Sequence, residues 1–227
     1  MVVEPPPCRW VLPDPLAADE DGIVGIGADL APGTLVAAYR RGLFPMHLDA
    51  DARVLGWWSP DPRGVLPLDR LHVSRTLARS CRRFTTTVDT DFAGVIDACA
   101  APRQGGGHWI NPALRAAYVA LHELGWAHSV EVHDDAGTLV GGLYGVAVGG
   151  LFAGESMFHR ATDASKVAVV GVVERLRDDG RDGRDRLFDV QWCTPHLATL
   201  GVVEVPAAEY QRRLTVARDL ALPPAFR

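Results

Sequence analysis

Apolar and polar residues alternate in the middle of the chain, which is the spacing of a half-buried strand. The clearest stretch is SVEVH at 129–133, and a turn signal, DDAG, follows it. The next two segments, TLVGGLYGVAVGG and LFAGESMF, continue as apolar runs up to residue 158. Together they predict neighbouring strands over residues 127–158, and RLFDVQW at 186–192 predicts a further, late strand.

Helical patterns surround these strands. The signals are a proline at a helix start and a glycine after its end, as at Pro112 and Gly125. The predicted helices span residues 32–42, 72–84, 89–100, 112–125 and 163–180, with shorter helical pieces at 196–201 and 206–221. A strand-rich middle with packed helices, and without a repeating strand–helix–strand unit, predicts an α+β fold with a mixed sheet.

The first 64 residues differ from the rest because they are rich in proline, glycine and tryptophan. The stretch GWWSPDPRGVLP at 56–67 contains three prolines, so it must be extended or turning. We therefore predict a small N-terminal domain over residues 1–64 and a larger domain over residues 65–227.

The helix predicted at 72–84 has two unlike faces. With Ser74 as its N-cap and about 100° between successive residues, it places Leu77, Cys81 and Phe84 on one side. The other side carries an arginine stripe without a compensating Asp or Glu, formed by Arg75, Arg79, Arg82 and Arg83. A solvated surface is the ordinary use of such charges, but a stripe of one sign also suits a phosphate backbone.

Composition limits the remaining possibilities. The chain has 227 residues, is 48% hydrophobic and 22% charged, and has a net charge of −5, all ordinary for a folded soluble protein. It has no apolar run of the ~20 residues that cross a membrane, no secretory signal and no closely paired cysteines. These features predict a cytoplasmic protein with reduced thiols. The net charge argues against a nucleic-acid partner only as a global sum, because the arginine stripe is local.

Several familiar motifs are incomplete. HELGWAH lacks the second histidine of a helical zinc motif, since Trp126 stands at its fifth position, and we predict no metal site. GIVGIGADL lacks the leading Arg or Gln of a coenzyme A pyrophosphate loop, and its glycines suit tight turns. Ser156 does not lie within G-x-S-x-G, so a nucleophile elbow is not indicated.

Three polar residues remain within apolar, strand-like surroundings: Glu155, Asp189 and Gln191. Asp189 and Gln191 are two positions apart, so a regular strand places them on one face and Val190 on the other. The bland alternative is that Asp189 caps a strand end and Gln191 faces water. A carboxylate such as Glu155 costs free energy in apolar surroundings unless it is paired. We expect its partner to be a cationic amine brought by another molecule.

Six blocks of the sequence resemble one bacterial family from about residue 20 to residue 210. They are GLFP, WWSPDPRGVL, LHVSRTL, WINPALRAAYVALHELGWAHSVEV, LVGGLYGVAVGGLFAGESMFHRATDASK and FDVQW followed by HLATLG. In order and spacing they resemble the leucyl/phenylalanyl-tRNA–protein transferases. That family moves Leu or Phe, and less readily Met, from aminoacyl-tRNA to an N-terminal Lys or Arg, which creates an N-degron for proteolysis.

The resemblance also implies a fold and a set of roles. It implies an acetyltransferase-like (GNAT-like) catalytic domain after a small N-terminal domain, without a metal or a coenzyme, and we expect a monomer. The arginine stripe would hold tRNA phosphates, which position the tRNA without reading its sequence. An apolar pocket would select the amino acid; the family positions that line it are Leu143, Phe152, Met157 and Val169. Trp109 and Tyr118 match positions near the terminal adenosine and aminoacyl group, although a core role is the ordinary one for such aromatics.

For the catalytic residues, the resemblance leaves two roles open. Glu155 would bind either the α-amine or the side chain of the acceptor. Asp189 would orient Gln191, whose carbonyl oxygen accepts a hydrogen bond from the attacking amine, or it would stabilise the developing ammonium directly. The family often has Trp after FP, where this chain has Met46, so a thioether replaces an aromatic platform.

Three other functions compete with transfer from tRNA. A coenzyme-A-dependent N-acetyltransferase would share the inferred fold but needs the pyrophosphate loop. A peptidoglycan-type aminoacyltransferase would need a longer chain with a duplicated fold. A non-catalytic module that binds tRNA or N-degrons would keep the arginine stripe but would not need Asp189 and Gln191 together.

Overall fold

The computed structural model describes residues 2–49, 53–102, 109–177 and 185–227. The helices of these ranges are α1 (Pro32–Tyr39), α2 (Arg75–Arg83), α3 (Phe92–Ala100), α4 (Pro112–Glu123), α5 (Ala164–Arg177), α6 (Pro195–Ala198) and α7 (Ala207–Ala217). The strands are β1 (Ile23–Ile26), β2 (Phe44–His47), β3 (Leu55–Trp58), β4 (Arg63–Leu66), β5 (Thr85–Val88), β6 (Ala127–His133), β7 (Leu139–Val148), β8 (Leu151–His159), β9 (Leu187–Gln191) and β10 (Val203–Val205). Short 3₁₀ helices lie at Leu68–Arg70 and Pro224–Phe226. The end of the helix predicted at 163–180 lies outside the described residues.

A seven-stranded mixed sheet forms the larger part of the molecule, in the order β10-β4-β9-β8-β7-β6-β5. Its neighbours pair antiparallel except β8 and β9, which are parallel. The small N-terminal part holds a second sheet in the order β1-β3-β2. The predicted α+β class with a mixed sheet and a smaller N-terminal part is confirmed.

Both faces of the large sheet are buried, because alternate residues of its strands enter different cores. On β7, Tyr144 and Val146 pack into a core with α1, α3 and α4, whereas Leu143 and Ala147 pack into a second core with α5. No helix within the described ranges has the length and apolar character needed to cross a bilayer.

The helix starts follow the capping chemistry of the sequence. Ser74, Asp91, Asn111 and Thr194 each accept a hydrogen bond from a backbone N–H in the first turn of the helix that follows. The predicted cap at Ser74 is thereby confirmed. It fixes α2 so that Leu77 is buried and all four residues of the arginine stripe are exposed.

Two irregularities in the large sheet position the candidate site. The parallel pairing of β8 with β9 extends from Leu151 to Ala153 on β8 and stops there, so the two strands separate beyond that point. In the β7–β8 pair, Tyr144 lies opposite Ser156 and Gly145 opposite Gly154, which makes Glu155 the extra residue of a β-bulge. In the β4–β9 pair, Val190 is the extra residue in the same way. Bulges re-aim side chains, and here they lie at the separating ends of both strands.

Candidate active site

A cavity of about 280 Å³ lies where β8 and β9 separate. Its third wall is β2, from the N-terminal part, so both parts of the chain build it. Its lining residues are Phe44, Pro45, Met46, Trp109, Glu155, Ser156, Met157, Val190, Gln191, Trp192, Thr194 and Leu197. We call it the β8–β9 cavity. It combines an apolar majority with a few convergent polar groups, which is the character of a small-molecule site.

Glu155 is the acidic group of this cavity, and tyrosines rather than cations hold it. The Tyr118 hydroxyl donates a hydrogen bond to Glu155 Oε2 at 2.8 Å, and the Tyr39 and Tyr118 oxygens are 2.7 Å apart. Because Tyr118 uses its single proton on Glu155, Tyr39 is the donor in the second bond. Glu155 keeps partial exposure to the cavity, whereas Tyr118 is fully buried.

Burial raises the pKa of Glu155 to about 7, although the hydroxyl groups of Tyr118 and Tyr39 act in the opposite direction. The nearby Asp189 carboxylate raises this pKa further, and Arg63 lowers it. Burial also keeps the pKa of Tyr118 well above its usual value, so this phenol stays a donor. Glu155 therefore changes charge near neutral pH, and a cation entering the cavity would favour its ionised form.

Gln191 reaches the same cavity because the end of β9 turns sharply. Its φ is +59°, a left-handed conformation that is uncommon outside glycine, and its backbone N–H donates to Asp189 Oδ1 at 2.9 Å. The next N–H, of Trp192, donates to the Val190 carbonyl at 2.7 Å and closes the turn. The side-chain Nε2 of Gln191 lies 3.5 Å from Glu155 Oε1, the long end of hydrogen-bonding distance.

Asp189 lies beneath this turn, buried, and is paired with a residue that the sequence patterns did not single out. Arg63 donates to it twice, from Nε to Oδ1 at 2.9 Å and from Nη2 to Oδ2 at 2.6 Å. The Tyr210 hydroxyl adds a bond to Oδ2 at 2.8 Å. Burial acts to lower the pKa of Arg63, but Asp189 and Tyr210 outweigh it and raise that pKa above its usual value. Asp189 thus fixes the Gln191 backbone and is itself fixed by Arg63.

The regular alternation expected at the end of β9 does not hold, because of the bulge at Val190. Val190 and Gln191 both line the β8–β9 cavity, whereas Asp189 lies in the interior with Arg63. The three polar residues are nevertheless close in space, since Asp189 contacts Gln191 and Gln191 approaches Glu155.

The expected pocket residues fall into two groups. Met157 and Trp109 line the β8–β9 cavity. Leu143, Phe152 and Val169 are buried in the core beside α5, and Leu143 lies opposite Met157 in the β7–β8 register. Tyr118 is not among the lining residues and adjoins the cavity through its bond to Glu155.

Trp192 forms an aromatic wall that the sequence patterns did not indicate. The residue is 40% exposed, and its ring packs edge-to-face with the rings of Phe44 and Trp58, whose centroids are 5.3 and 6.2 Å away. Met46 lines the same cavity. The cavity thus keeps two indoles, those of Trp109 and Trp192.

The arginine stripe lies on α2, which packs against α5. A hydrogen bond also joins them, because Ser80 Oγ on α2 donates to the carboxylate of Asp163, just before α5, at 3.1 Å. Among the described residues, no carboxylate forms an ion pair with Arg75, Arg79, Arg82 or Arg83. The stripe is therefore accessible to an external anion.

Three residues that the sequence patterns did not indicate support the site. They are Arg63, Tyr39 and Tyr210. Arg63 lies in the segment WWSPDPRGVL, whose prolines predict only an extended or turning chain. Tyr39 and Tyr210 lie on helices, outside the strands that carry Glu155 and Asp189. Within the described ranges, no group of three His, Cys, Asp or Glu side chains is arranged to hold a metal ion.

Family models and curated relatives point to one family over most of the chain. A family model described as leucyl/phenylalanyl-tRNA protein transferase matches residues 65–215, and the model of that family's N-terminal domain matches residues 28–61. A leucyl/phenylalanyl-tRNA–protein transferase of Aromatoleum aromaticum is 51% identical over 208 residues, which cover 90% of this chain and 83% of the relative. Its counterpart in Pseudomonas putida is 50% identical over 221 residues, covering 96% and 92%.

A comparison of folds matches a solved structure of L-PGS from Bacillus licheniformis. The TM-score is 0.38 at 10% identity, over 69% of this chain and 51% of the other. A similarity of this size carries no conclusion.

Proposed function

This chain belongs to the leucyl/phenylalanyl-tRNA–protein transferase family, and on that basis we propose that it moves Leu or Phe, and less readily Met, from aminoacyl-tRNA to an N-terminal Lys or Arg of acceptor proteins. The product carries a new N-terminal residue that acts as an N-degron. The observation that carries the proposal is the convergence of Glu155 and Gln191 in one largely apolar cavity.

The acceptor is recognised by charge. An N-terminal Lys or Arg brings a side-chain cation and an α-amine, and Glu155 is an acidic group without a cationic hydrogen-bond partner among the described residues. Because its pKa is about 7, Glu155 is part ionised at neutral pH, and binding of a cation completes the ionisation. An acceptor that begins with a small neutral residue lacks the side-chain cation and binds more weakly.

The chemical step is aminolysis of an ester. The neutral α-amine attacks the aminoacyl carbonyl carbon, the new C–N bond forms, and the ester C–O bond to the ribose breaks. The proton that the amine loses ends on the released ribose hydroxyl. An α-amine has a pKa of ~8, so part of it is already neutral at cytoplasmic pH. Gln191 Oε1 accepts a hydrogen bond from the attacking amine and orients it, while Asp189 holds the turn that presents Gln191. An amide oxygen is too weak a base to remove the proton itself.

The donor is recognised by its amino acid and its terminal nucleotide. Met157 lines the cavity beside its cross-strand neighbour Leu143, and Leu143, Phe152 and Val169 belong to the apolar core against which Met157 packs. An apolar pocket rejects polar side chains through desolvation but separates related aliphatics by only ~1–3 kcal/mol, which accounts for some use of Met. Trp109 offers a stacking surface for the terminal adenosine, worth ~1–3 kcal/mol. Tyr118 acts on the site through Glu155.

The proposal also covers the arginine stripe, the cellular location, the fold of the catalytic domain and the oligomeric state. Exposed Arg75, Arg79, Arg82 and Arg83 hold phosphates of the tRNA acceptor stem, which suits an enzyme that accepts several tRNAs. Because aminoacyl-tRNA is the donor, we propose a cytoplasmic location. The separating parallel strands β8 and β9 favour an acetyltransferase-like catalytic domain. We also propose that the protein acts as a monomer.

The test is a transfer assay read by mass spectrometry. Purified protein is incubated with leucyl-tRNA and a peptide that begins with Arg; the expected product is the peptide plus one leucine. The same peptide beginning with Ala is the control for acceptor recognition, and Glu155→Gln, which preserves shape, is the control for the carboxylate. Leucine gained by the Arg peptide alone, and lost or strongly reduced in the variant, supports the proposal.

Two results would contradict the proposed transferase function and favour another. Binding of leucyl-tRNA without transfer to either peptide favours a non-catalytic tRNA-binding module. A rise in melting temperature with acetyl-coenzyme A, together with acetylation of the peptide, favours an N-acetyltransferase. Neither is expected from the cavity described above.

A further inference from the structure

A second cavity, of about 440 Å³, adjoins the β8–β9 cavity, and Met157 lines both. Its other lining residues are Ala98, Ala101, Pro102, Phe158, His159, Arg160, Ser165 and His196. We call it the basic cavity. The mechanism proposed above does not use it.

Among the described residues that line this cavity, the one side chain that carries charge at every working pH is a cation, Arg160. Arg160 and two imidazoles line it, and the ammonium of Lys166 follows Ser165 on α5. The pKa of His196 is lowered, first by burial and then by the charges of Lys166 and His159, which places both groups within electrostatic reach of this ring. The lining residues in the described ranges include no carboxylate; Asp163 lies close enough to raise the pKa of His196 but accepts a hydrogen bond from Ser80.

The basic cavity lies between the two features assigned to the donor. On one side, Asp163 at the start of α5 bonds to Ser80 of α2, the helix that carries the arginine stripe. On the other side, Met157 and the neighbouring residues His196 and Leu197 connect it to the β8–β9 cavity. Contacts therefore link the basic cavity both to the helix that carries the stripe and to the β8–β9 cavity.

We propose that the basic cavity binds the single-stranded nucleotides that join the acceptor stem of the donor tRNA to its aminoacylated 3′ adenosine. Arg160 and Lys166 contact internucleotide phosphates, and the imidazoles of His159 and His196 donate hydrogen bonds to phosphate or ribose oxygens. Phe158 and Met157 offer apolar surface to a base. This inference rests on the proposed function.

Charge separates this ligand from the other substrate. An acceptor with N-terminal Lys or Arg is cationic, so the basic cavity repels it and the Glu155 side attracts it. A phosphodiester strand has the opposite preference. The two neighbouring cavities thus divide donor from acceptor by the sign of their charge.

The sequence offers an unusually clean probe of this site, because Lys166 is the only lysine of the chain. Its ε-amine and the N-terminal α-amine are the only unmodified primary amines that an acylating reagent finds. We expect a cytidine–cytidine–adenosine trinucleotide to slow acylation of Lys166 several-fold, as read by mass spectrometry, with the α-amine as internal reference. Adenosine alone should leave Lys166 reactive. Equal protection by both ligands, or by neither, overturns the proposal.

Kinetics with three leucyl donors give the second test: full tRNA, the aminoacylated trinucleotide and aminoacyl-adenosine. Lys166→Glu should raise KM about tenfold for the first two and leave the third within about twofold, because only the first two cross the basic cavity. The salt dependence of binding should weaken by ~0.7 in its log–log slope for each phosphate that the variant no longer binds. Arg177→Glu, at the other end of α5, makes the same charge change and should leave the trinucleotide donor unaffected.

The outcomes distinguish this inference from the function on which it rests. An equal effect of Lys166→Glu on all three donors, or an effect on tRNA alone, contradicts the basic cavity as the nucleotide path. Wild-type protein that transfers from none of the donors contradicts the proposed function, and the acylation experiment still reports whether the trinucleotide binds.

Discussion

The Tyr118 hydroxyl and Glu155 Oε2 are 2.8 Å apart, so a neutral donor, not a cation, holds the acidic group of the β8–β9 cavity. A phenol satisfies one carboxylate oxygen without neutralising its charge. Glu155 therefore keeps an affinity for a positive ligand. Its pKa of about 7 reflects the burial of a carboxylate that has no cationic hydrogen-bond partner among the described residues.

The first prediction concerns stability against pH. The pKa of Glu155 rises from 4.5 in its reference state to about 7 in the fold, so the fold favours the protonated form. Wild-type protein should therefore lose stability relative to Glu155→Gln as pH rises from about 4.5 through about 7, by about 3 kcal/mol in total. The measurement is the difference in unfolding free energy between the two proteins at each pH.

A second variant checks the cause of that difference. Tyr118→Phe removes a hydrogen bond that favours ionised Glu155, so it should move the pH range of the loss upward. A difference between wild type and Glu155→Gln that stays constant over pH 4.5–8 contradicts the assigned titration.

The second prediction concerns the buried ion pair between Arg63 and Asp189, whose side chains are almost completely inaccessible. Arg63→Met leaves a buried carboxylate without its charge partner and should cost about 3–5 kcal/mol in urea unfolding. The matched control is Arg115→Met, which breaks an exposed pair with Asp97 and should cost less than about 1 kcal/mol. Equal costs would mean that the interior position of the pair does not matter.

The third prediction concerns Gly64, which lies opposite Gln191 in the β4–β9 register. A Cβ at this position would lie 2.7 Å from the Trp192 carbonyl carbon and 2.8 Å from the Cys193 nitrogen. Gly64→Ala must therefore displace the turn that presents Gln191. We expect kcat/KM for transfer to fall by about 10- to 100-fold, because small misplacements of a positioned group are that costly.

The control for this effect is Gly171→Ala. The nearest atoms to a Cβ there belong to the side chains of Arg175 and Val130, which can adjust, and the residue lies inside α5. Transfer by Gly171→Ala should stay within about threefold of wild type, since a side-chain adjustment leaves the turn in place. A similar loss in both variants would point to general destabilisation.

The fourth prediction concerns the arginine stripe. Arg79→Ala combined with Arg83→Ala should weaken binding of aminoacyl-tRNA and reduce the log–log salt slope by ~0.9 for each duplex phosphate that is no longer bound. Transfer from aminoacyl-adenosine should be unchanged, because that donor has no stem. An unchanged salt slope would mean that these arginines lie in solvent without contacting tRNA.

Much of the fold follows from local sequence. Alternation in SVEVH and the long apolar runs predicted β6, β7 and β8, and Ser74 predicted the start of α2. These elements are set by signals within a few residues, such as a cap or a change of hydrophobic period. Sheet order is different, because β4 joins β9 and β10 from positions that are distant in sequence.

The site was predicted less completely, for physical reasons that concern two particular places. Alternation placed Asp189 and Gln191 on one face, but the bulge at Val190 and the left-handed turn at Gln191 separate them. A bulge adds one residue to a strand and leaves no mark in the hydrophobic pattern. Likewise, the partner of Asp189 is 126 positions away, and only the folded sheet brings Arg63 to it.

The position of β4 has a consequence for exchanging parts between relatives. Arg63 stands at the start of this strand, next to the boundary expected near residue 64, yet its guanidinium completes the interior of the larger sheet. A chimaera that joined a foreign N-terminal part to this chain at residue 65 would inherit Asp189 with a borrowed arginine or with none. A workable junction therefore lies upstream of Arg63. The N-terminal part would still supply Tyr39 and Met46 to the site. The two parts of the chain are therefore best exchanged together, even though a junction near residue 64 looks suitable from the sequence.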